Sequence, residues 1–109
     1  ASVIQFYLFE ADFSLMLAKK AISSGDRYYL SGHIFRMVSA LNQVIFAKNK
    51  VYFLNEKKAI KRIDRFEFAP SKYEDRINEI FGSLYEEGGP TIGLLEVLLA
   101  DVQNLISFY

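Results

Sequence analysis

The sequence predicts an all-α fold: an up-down-up-down four-helix bundle with a short extra helix in the connector between helices 2 and 3. Apolar residues recur at intervals of three and four along four long segments, which is the periodicity of helices that bury one face. Only two prolines and six glycines interrupt the 109 residues, so long elements are expected. One cluster of β-branched and aromatic residues, at 51–54, could form a strand, and one strand cannot make a sheet.

The composition indicates one domain with an ordinary hydrophobic core. Hydrophobic residues make up 51% of the chain and aromatic residues 16%, which argues against intrinsic disorder. The lack of cysteine excludes a disulfide scaffold, a cysteine zinc site and a thiol nucleophile, and a single histidine argues against a histidine metal cluster. No apolar run is long enough for a membrane helix, and no signal peptide is visible. We therefore expect a soluble, cytoplasmic domain over residues 1–109.

The formal net charge of zero conceals an uneven distribution. Residues 19–65 contain eleven basic and three acidic side chains, whereas the rest of the chain contains two basic and ten acidic ones. The basic segment ends in a cluster at Lys57, Lys58, Lys61, Arg62 and Arg65. Two interpretations follow: the acidic helices pair with the basic segment within or between subunits, or the basic connector faces the phosphates of a ligand.

Residues 2–24 predict a first helix that is apolar on most sides. One row contains Ile4, Leu8, Ala11, Leu15, Ala18 and Ile22, and a second contains Phe6, Phe9, Phe13 and Met16 or Leu17. Such a helix must be buried on more than one side, either by neighbouring helices or by a partner. The Ser24-Gly25-Asp26 sequence ends it, with Asp26 as the predicted N-cap of the next helix.

Residues 27–49 predict the second helix, whose main apolar stripe is Leu30, Ile34, Val38, Leu41 and Ile45. Asn42 lies on the apolar side, where its amide requires a hydrogen-bond partner. A line of small and polar residues follows another face and is expected to meet solvent, a groove or a twin subunit: His33, Arg36, Ala40, Gln43 and Ala47.

The second half predicts shorter elements. Tyr52 and Phe53 are expected to anchor a connector at 50–55, and a short basic helix is expected at 56–65 with Asn55 or Glu56 as its cap. Ser71 and Glu74 fit a capping box for a helix that runs to about Glu87 and ends at Gly88-Gly89-Pro90. A last helix is predicted from about Thr91 to Ser107.

Catalytic motifs are largely missing from the sequence. It contains no phosphate-binding loop and no His-Glu-x-x-His zinc motif. Gly82-Ser83 has the Gly-Ser pair that opens nucleotidyltransferase active sites, yet no Asp-x-Asp follows it. The chain therefore lacks the carboxylate pair that would hold Mg²⁺ for nucleotidyl transfer, and we predict no metal site and no catalytic residue.

One spacing suggests an alternative function. Arg27 and His33 form Arg-x₅-His, which resembles the catalytic motif of HEPN-type RNases. That resemblance implies a stand-alone bundle of the HEPN or toxin–antitoxin kind that binds or cleaves RNA. A structural or solvated His33 is the simpler interpretation, and a plain oligomerising interaction module is a third possibility.

A second resemblance covers residues 30–82. It rests on FRMVSALNQVIFA at 35–47, VYFLNEKKA at 51–59 and RINEIF at 76–81, with Phe66 and Pro70 between them. These segments resemble the C-terminal helical domain of small bacterial and archaeal nucleotidyltransferases. The domain is similar in kind to the C-terminal bundle of kanamycin nucleotidyltransferase and to the substrate-binding partner of two-part nucleotidyltransferases.

This resemblance implies a non-catalytic domain that positions the acceptor substrate and supports a homodimer. Mg²⁺ and the nucleoside triphosphate would come with an N-terminal catalytic domain, and we expect this chain, which begins at Ala1 within an apolar segment, to be a fragment of that longer protein. Nucleic acid is a possible but not the favoured partner, and no membrane partner is expected. The candidate substrate or phosphate contacts are Arg36, Gln43, Asn55, Glu56, Lys57 and Lys58.

Overall fold

The computed structural model describes residues 2–53, 55–86 and 89–107, and all regular structure in these ranges is helical. Five α-helices follow one another: α1 at Ser2–Ser24, α2 at Arg27–Lys48, α3 at Ala59–Ile63, α4 at Tyr73–Gly82 and α5 at Thr91–Ser107. A 3₁₀ turn at Ser83–Tyr85 extends α4. The all-α prediction is confirmed. Over the described residues, no helix is both long enough and apolar enough to cross a membrane.

The two longest helices, α1 and α2, pack together as a hairpin. Gly25 makes the turn with a φ of +77°, a conformation that glycine adopts without steric cost. Asp26 is the N-cap of α2, as predicted, because its Oδ1 accepts a hydrogen bond from the Tyr29 N–H at 3.0 Å. Ala11 and Ala18 of α1 are fully buried, and these small side chains allow the two helices to approach closely.

Helix α2 is the centre of the molecule. Its predicted apolar stripe is buried, and α1, α3 and α5 all pack against it. Helix α5 contributes Leu95, Leu98 and Val102 to the same core, and α4 packs on α3 and α5. A single hydrophobic core therefore connects all five helices.

Phe46 of α2 holds the connector that follows it. The rings of Phe53 and Phe66 meet the Phe46 ring edge-on, with centroids 4.8 and 4.9 Å away, and the Arg62 guanidinium lies 5.2 Å from its centre. Phe53 is thus an anchor, as expected, whereas Tyr52 is exposed and the prediction for it is wrong.

Asn49, just after α2, fastens the far end of the connector. Its side chain donates to the Phe68 carbonyl at 2.7 Å and accepts from the Phe68 N–H at 3.0 Å. This pair of bonds imitates the pairing of two backbone strands and satisfies polar groups that would otherwise lack partners. The extended segment before Pro70 is therefore tied to the end of α2.

The boundaries of the shorter helices differ from the predictions. The basic helix is limited to Ala59–Ile63, and neither Asn55 nor the Glu56 side chain caps it: the residue before it, Lys58, is left-handed with a φ of +65°. Helix α4 ends at Gly82, because the chain tightens into the 3₁₀ turn. The predicted end of this helix at Glu87 and the breaker Gly88 lie outside the described residues, as does Leu54 of the connector.

The predicted capping box at Ser71 is wrong. Lys72 precedes α4 in a left-handed conformation, and it provides no side-chain cap. Asp64 caps the helix instead of Ser71. Its Oδ1 accepts a hydrogen bond from the Tyr73 N–H at 2.8 Å, and its Oδ2 accepts one from the Glu74 N–H at 3.3 Å. The carboxylate satisfies two unpaired donors and faces the positive end of the helix dipole.

Replacing Asp64 with Ala is expected to lower the free energy of unfolding by about 1 kcal/mol, the usual value of a helix cap. Glu67→Ala is the matched control, because it removes an exposed carboxylate that makes no hydrogen bond or ion pair with α4 among the described residues. Urea denaturation followed by circular dichroism measures both. Equal effects of the two substitutions would contradict the capping role.

Candidate functional site

Three of the six predicted contact residues line one groove. This depression of about 170 Å³ lies between α1, α2 and the connector, and we call it the polar groove. Arg36 and Gln43 come from α2 and Glu56 comes from the connector. The remaining lining residues are Tyr7, Glu10, Ser14, Ser39 and Ala40.

The helix geometry explains why these side chains converge. Arg36, Ser39 and Gln43 are spaced by three and four residues, so they share one face of α2. Tyr7, Glu10 and Ser14 have the same spacing on α1. The packing of the two helices brings these two faces together along the groove, and Glu56 lies beside them.

The charged groups of the polar groove are not paired with each other. Three ion pairs occur among the described residues, and none includes Glu10, Arg36 or Glu56. Two carboxylates, one guanidinium, one amide and three hydroxyl groups therefore line this small groove, and no ion pair among the described residues occupies its charged groups.

Asn55, Lys57 and Lys58 do not line the polar groove. All three are exposed, on the segment between Glu56 and α3. No ion pair or hydrogen bond involves the side chain of Lys57 or Lys58 among the described residues. Their predicted contact with a substrate or phosphate remains a prediction.

A buried hydrogen bond is connected to the groove through Glu56. The hydroxyl of Tyr73 donates to Asn42 Oδ1 at 2.7 Å, and both side chains are almost completely buried. The Asn42 amide nitrogen in turn donates to Glu56 Oε1 at 3.4 Å. The expectation that Asn42 has a hydrogen-bond partner is confirmed, and its partners connect α2 to α4 and to Glu56.

The environment of Tyr73 keeps its hydroxyl protonated. Burial raises its pKa far above the ordinary value of 10.0, and the nearby negative charge of Glu56 raises it further. A protonated hydroxyl is a donor, as the bond to Asn42 Oδ1 requires. The Tyr73–Asn42 bond therefore persists over the whole neutral range.

Arg27 and His33, the alternative RNase pair, line different depressions. Arg27 lies in one of about 450 Å³ beside the α1–α2 turn, where its Nε donates to the Leu84 carbonyl at 2.7 Å. His33 lies in another of about 500 Å³, beside the Tyr29 ring and Phe81. Its Nδ1 is buried and has no hydrogen-bond partner among the described residues.

The charge asymmetry is partly resolved within the chain. Lys19 pairs with Glu96 at 3.0 Å, and Lys61 pairs with Glu74 at 2.9 Å, so two bases of the basic segment meet acids of α5 and α4. These pairs are largely exposed and contribute little to stability individually. They favour the interpretation in which part of the basic segment is neutralised by acidic residues of the same chain. The neighbouring residues Lys57 and Lys58 take part in none of these ion pairs.

Tyr7, Glu10 and Ser14 line the groove but are not among the predicted site residues. Their regular spacing on α1 was a possible signal, because a polar line between two apolar rows is typical of a helix that borders a groove. Only the packing of α1 on α2 shows that this line faces Arg36 and Gln43.

Comparisons with known proteins do not identify relatives of this chain. No protein-family model matches it, no curated protein matches it, and no solved structure matches it. The geometry of the groove and the sequence resemblance are therefore the basis for a functional proposal.

Tyr73→Phe is expected to lower the free energy of unfolding by about 1–3 kcal/mol at neutral pH, because it leaves Asn42 Oδ1 buried without a donor. Since the folded-state pKa is raised, the contribution of the hydroxyl is complete below pH 10.0 and declines as the pH rises above it. The difference between the wild type and Tyr73→Phe should therefore shrink in alkali.

Urea denaturation at neutral pH and above pH 10.0 measures this difference, with Tyr52→Phe as the control for an exposed phenol. A difference that is absent at neutral pH, or that grows in alkali, would contradict the proposed protonation state of Tyr73.

Proposed function

We propose that this chain is the non-catalytic helical domain of a nucleotidyltransferase, in which it positions the acceptor substrate and supports a homodimer. The convergence of Arg36, Gln43 and Glu56 in the polar groove is the observation that carries the proposal. These three residues are among the six acceptor contacts that the sequence resemblance implies. We also propose that the four longer helices, α1, α2, α4 and α5, form an up-down-up-down bundle. The α1–α2 hairpin would be the first pair of antiparallel helices in it.

The chemistry of the polar groove indicates the kind of acceptor. Glu10 and Glu56 offer carboxylates to an ammonium or hydroxyl group, and Arg36 offers a guanidinium to an electronegative oxygen. At about 170 Å³ the groove is smaller than sites that enclose a whole drug-sized ligand. It suits one ring or head group of a polyhydroxylated amine, with the rest of the acceptor extending outward.

The division of labour follows from the residues that the chain contains. Among the described residues, no group of three acidic or histidine side chains is arranged to hold a metal ion. In the proposed parent protein, Mg²⁺ and the nucleoside triphosphate are bound by a separate catalytic domain. The helical domain contributes by holding the acceptor in a defined orientation, which lowers the entropic barrier of a bimolecular step.

The RNase alternative receives less support from the geometry. The Arg27 guanidinium bonds to a backbone carbonyl, and His33 lies in a separate depression. A general acid–base pair must reach the same reacting atoms. RNA cleavage that depends on Arg27 and His33 stays a prediction of the RNase alternative. The third alternative, a plain oligomerising module, predicts no such cleavage.

Kanamycin and glucosamine are suitable probes of the groove, because both are polyhydroxylated amines. We expect ligand-detected NMR to show binding of at least one of them to the isolated chain. Arg36→Ala and Glu10→Gln should each raise its Kd by about tenfold or more, the value of one lost charge-assisted hydrogen bond. Arg65→Ala, which removes an exposed base outside the groove, should leave the Kd unchanged.

Two results would overturn the proposal. One is binding of neither probe, or binding that the groove variants and Arg65→Ala change equally. The other is transfer of labelled nucleotide from a triphosphate with Mg²⁺ by this chain alone, because a non-catalytic domain transfers nothing.

A further inference from the structure

A row of large apolar side chains is exposed along α1. Phe6, Phe9, Phe13 and Met16 have exposed fractions between 44 and 65%, and Val3 extends the row with 55%. We call these five residues the α1 stripe. The rings of Phe9 and Phe13 stack on each other, with centroids 6.3 Å apart, and this stacking gives the stripe a continuous surface.

The α1 stripe lies opposite the buried face of the helix. The core-facing residues Ile4, Ala11, Leu15 and Ala18 are buried, whereas Phe6, Phe9, Phe13 and Met16 lie on the other side, about half a turn away. The second apolar row is therefore left uncovered by α2 and α5. A helix with two apolar faces, one of them in water, indicates a missing partner.

The spacing of the stripe indicates what kind of partner fits. Positions 6, 9, 13 and 16 follow steps of three, four and three, the heptad spacing with which one helix meshes with another. A second copy of α1 presents this same spacing and the same large side chains. Contact between two identical faces closes on itself through a two-fold axis, which is the commonest symmetry of soluble oligomers.

The exposed area is sufficient for a dimer of this kind. At about 200 Å² for a fully exposed large side chain, the stripe leaves about 500 Å² of apolar surface uncovered. Two copies would together bury about 1,000 Å², which is about the minimum area of a biological interface. The side chains of the stripe carry no charge, so burying it leaves no ion without a partner.

We infer that the α1 stripe is a homodimer interface, in which the second copy's α1 covers Phe6, Phe9, Phe13 and Met16. Glu10 lines the polar groove and is next to this stripe on α1, so the partner helix would run beside the groove. The α1 stripe would be the contact surface of the homodimer in the proposed function. This interface does not depend on the nucleotidyltransferase assignment.

Sedimentation equilibrium over a wide range of concentrations tests the interface. The wild-type chain should have twice the 12.5 kDa mass of one chain. Phe9→Glu should reduce the mass to that of one chain, because it places a charge at the middle of the stripe. Tyr28→Glu, which changes an exposed aromatic residue on α2, should leave the dimer intact. Circular dichroism checks that each variant keeps its helical content.

Cross-linking provides a second readout, which requires no destabilising charge. Since the chain has no cysteine, Phe9→Cys and Phe13→Cys chains can be oxidised separately and as a mixture. Disulfide-linked dimers within each variant support parallel α1 helices, and dimers formed between the two variants support antiparallel ones. Val97→Cys, at an exposed position of α5, should form far fewer.

Three results would overturn the inference: a wild-type chain that stays monomeric at the highest concentration, a Phe9→Glu variant that remains dimeric, or cross-linking at the stripe that does not exceed cross-linking at Val97. A monomeric chain that still binds kanamycin through Arg36 would overturn this interface while leaving the groove proposal intact.

Discussion

The hydrogen bond between the Tyr73 hydroxyl and Asn42 is the constraint on which the second half of the molecule depends. Helices α3 and α4 contain five and ten residues, too few to be stable alone in water. They are ordered because their apolar side chains pack against the long helices and because Tyr73 enters the core next to α2. A buried polar pair permits few alternative positions, since any shift leaves both groups without partners.

This constraint also connects the fold to the proposed site. Asn42 contacts Glu56 on its other side, so the residue that orients Tyr73 also meets the carboxylate at the edge of the polar groove. Asp64 caps α4 at the Tyr73 N–H, and Asn49 bonds to Phe68 at the far end of the connector. The connector is irregular, yet side-chain hydrogen bonds define its path, and a groove with a defined shape is what a positioning domain requires.

The sequence reveals features formed by neighbouring residues better than contacts between residues far apart in the chain. The periodicity of α1, α2 and α5 and the Asp26 cap are local, and the prediction located them closely. The Asp64 cap joins residues nine and ten positions apart across a turn, and the Asn49–Phe68 pair spans nineteen; no local pattern separates these contacts from ordinary polar loops. Arg36 and Gln43 were predictable from a polar line on α2, whereas Glu10 became a site residue only through helix packing.

A double-mutant cycle on Asn42→Ala and Tyr73→Phe tests the central claim most directly, with the free energy of unfolding measured by urea denaturation. If the buried hydrogen bond organises this half of the molecule, the two substitutions should be coupled by about 1 kcal/mol or more, because either one alone removes the interaction. Effects that add within about 0.3 kcal/mol would contradict the claim, since they would show that the two side chains stabilise the fold independently.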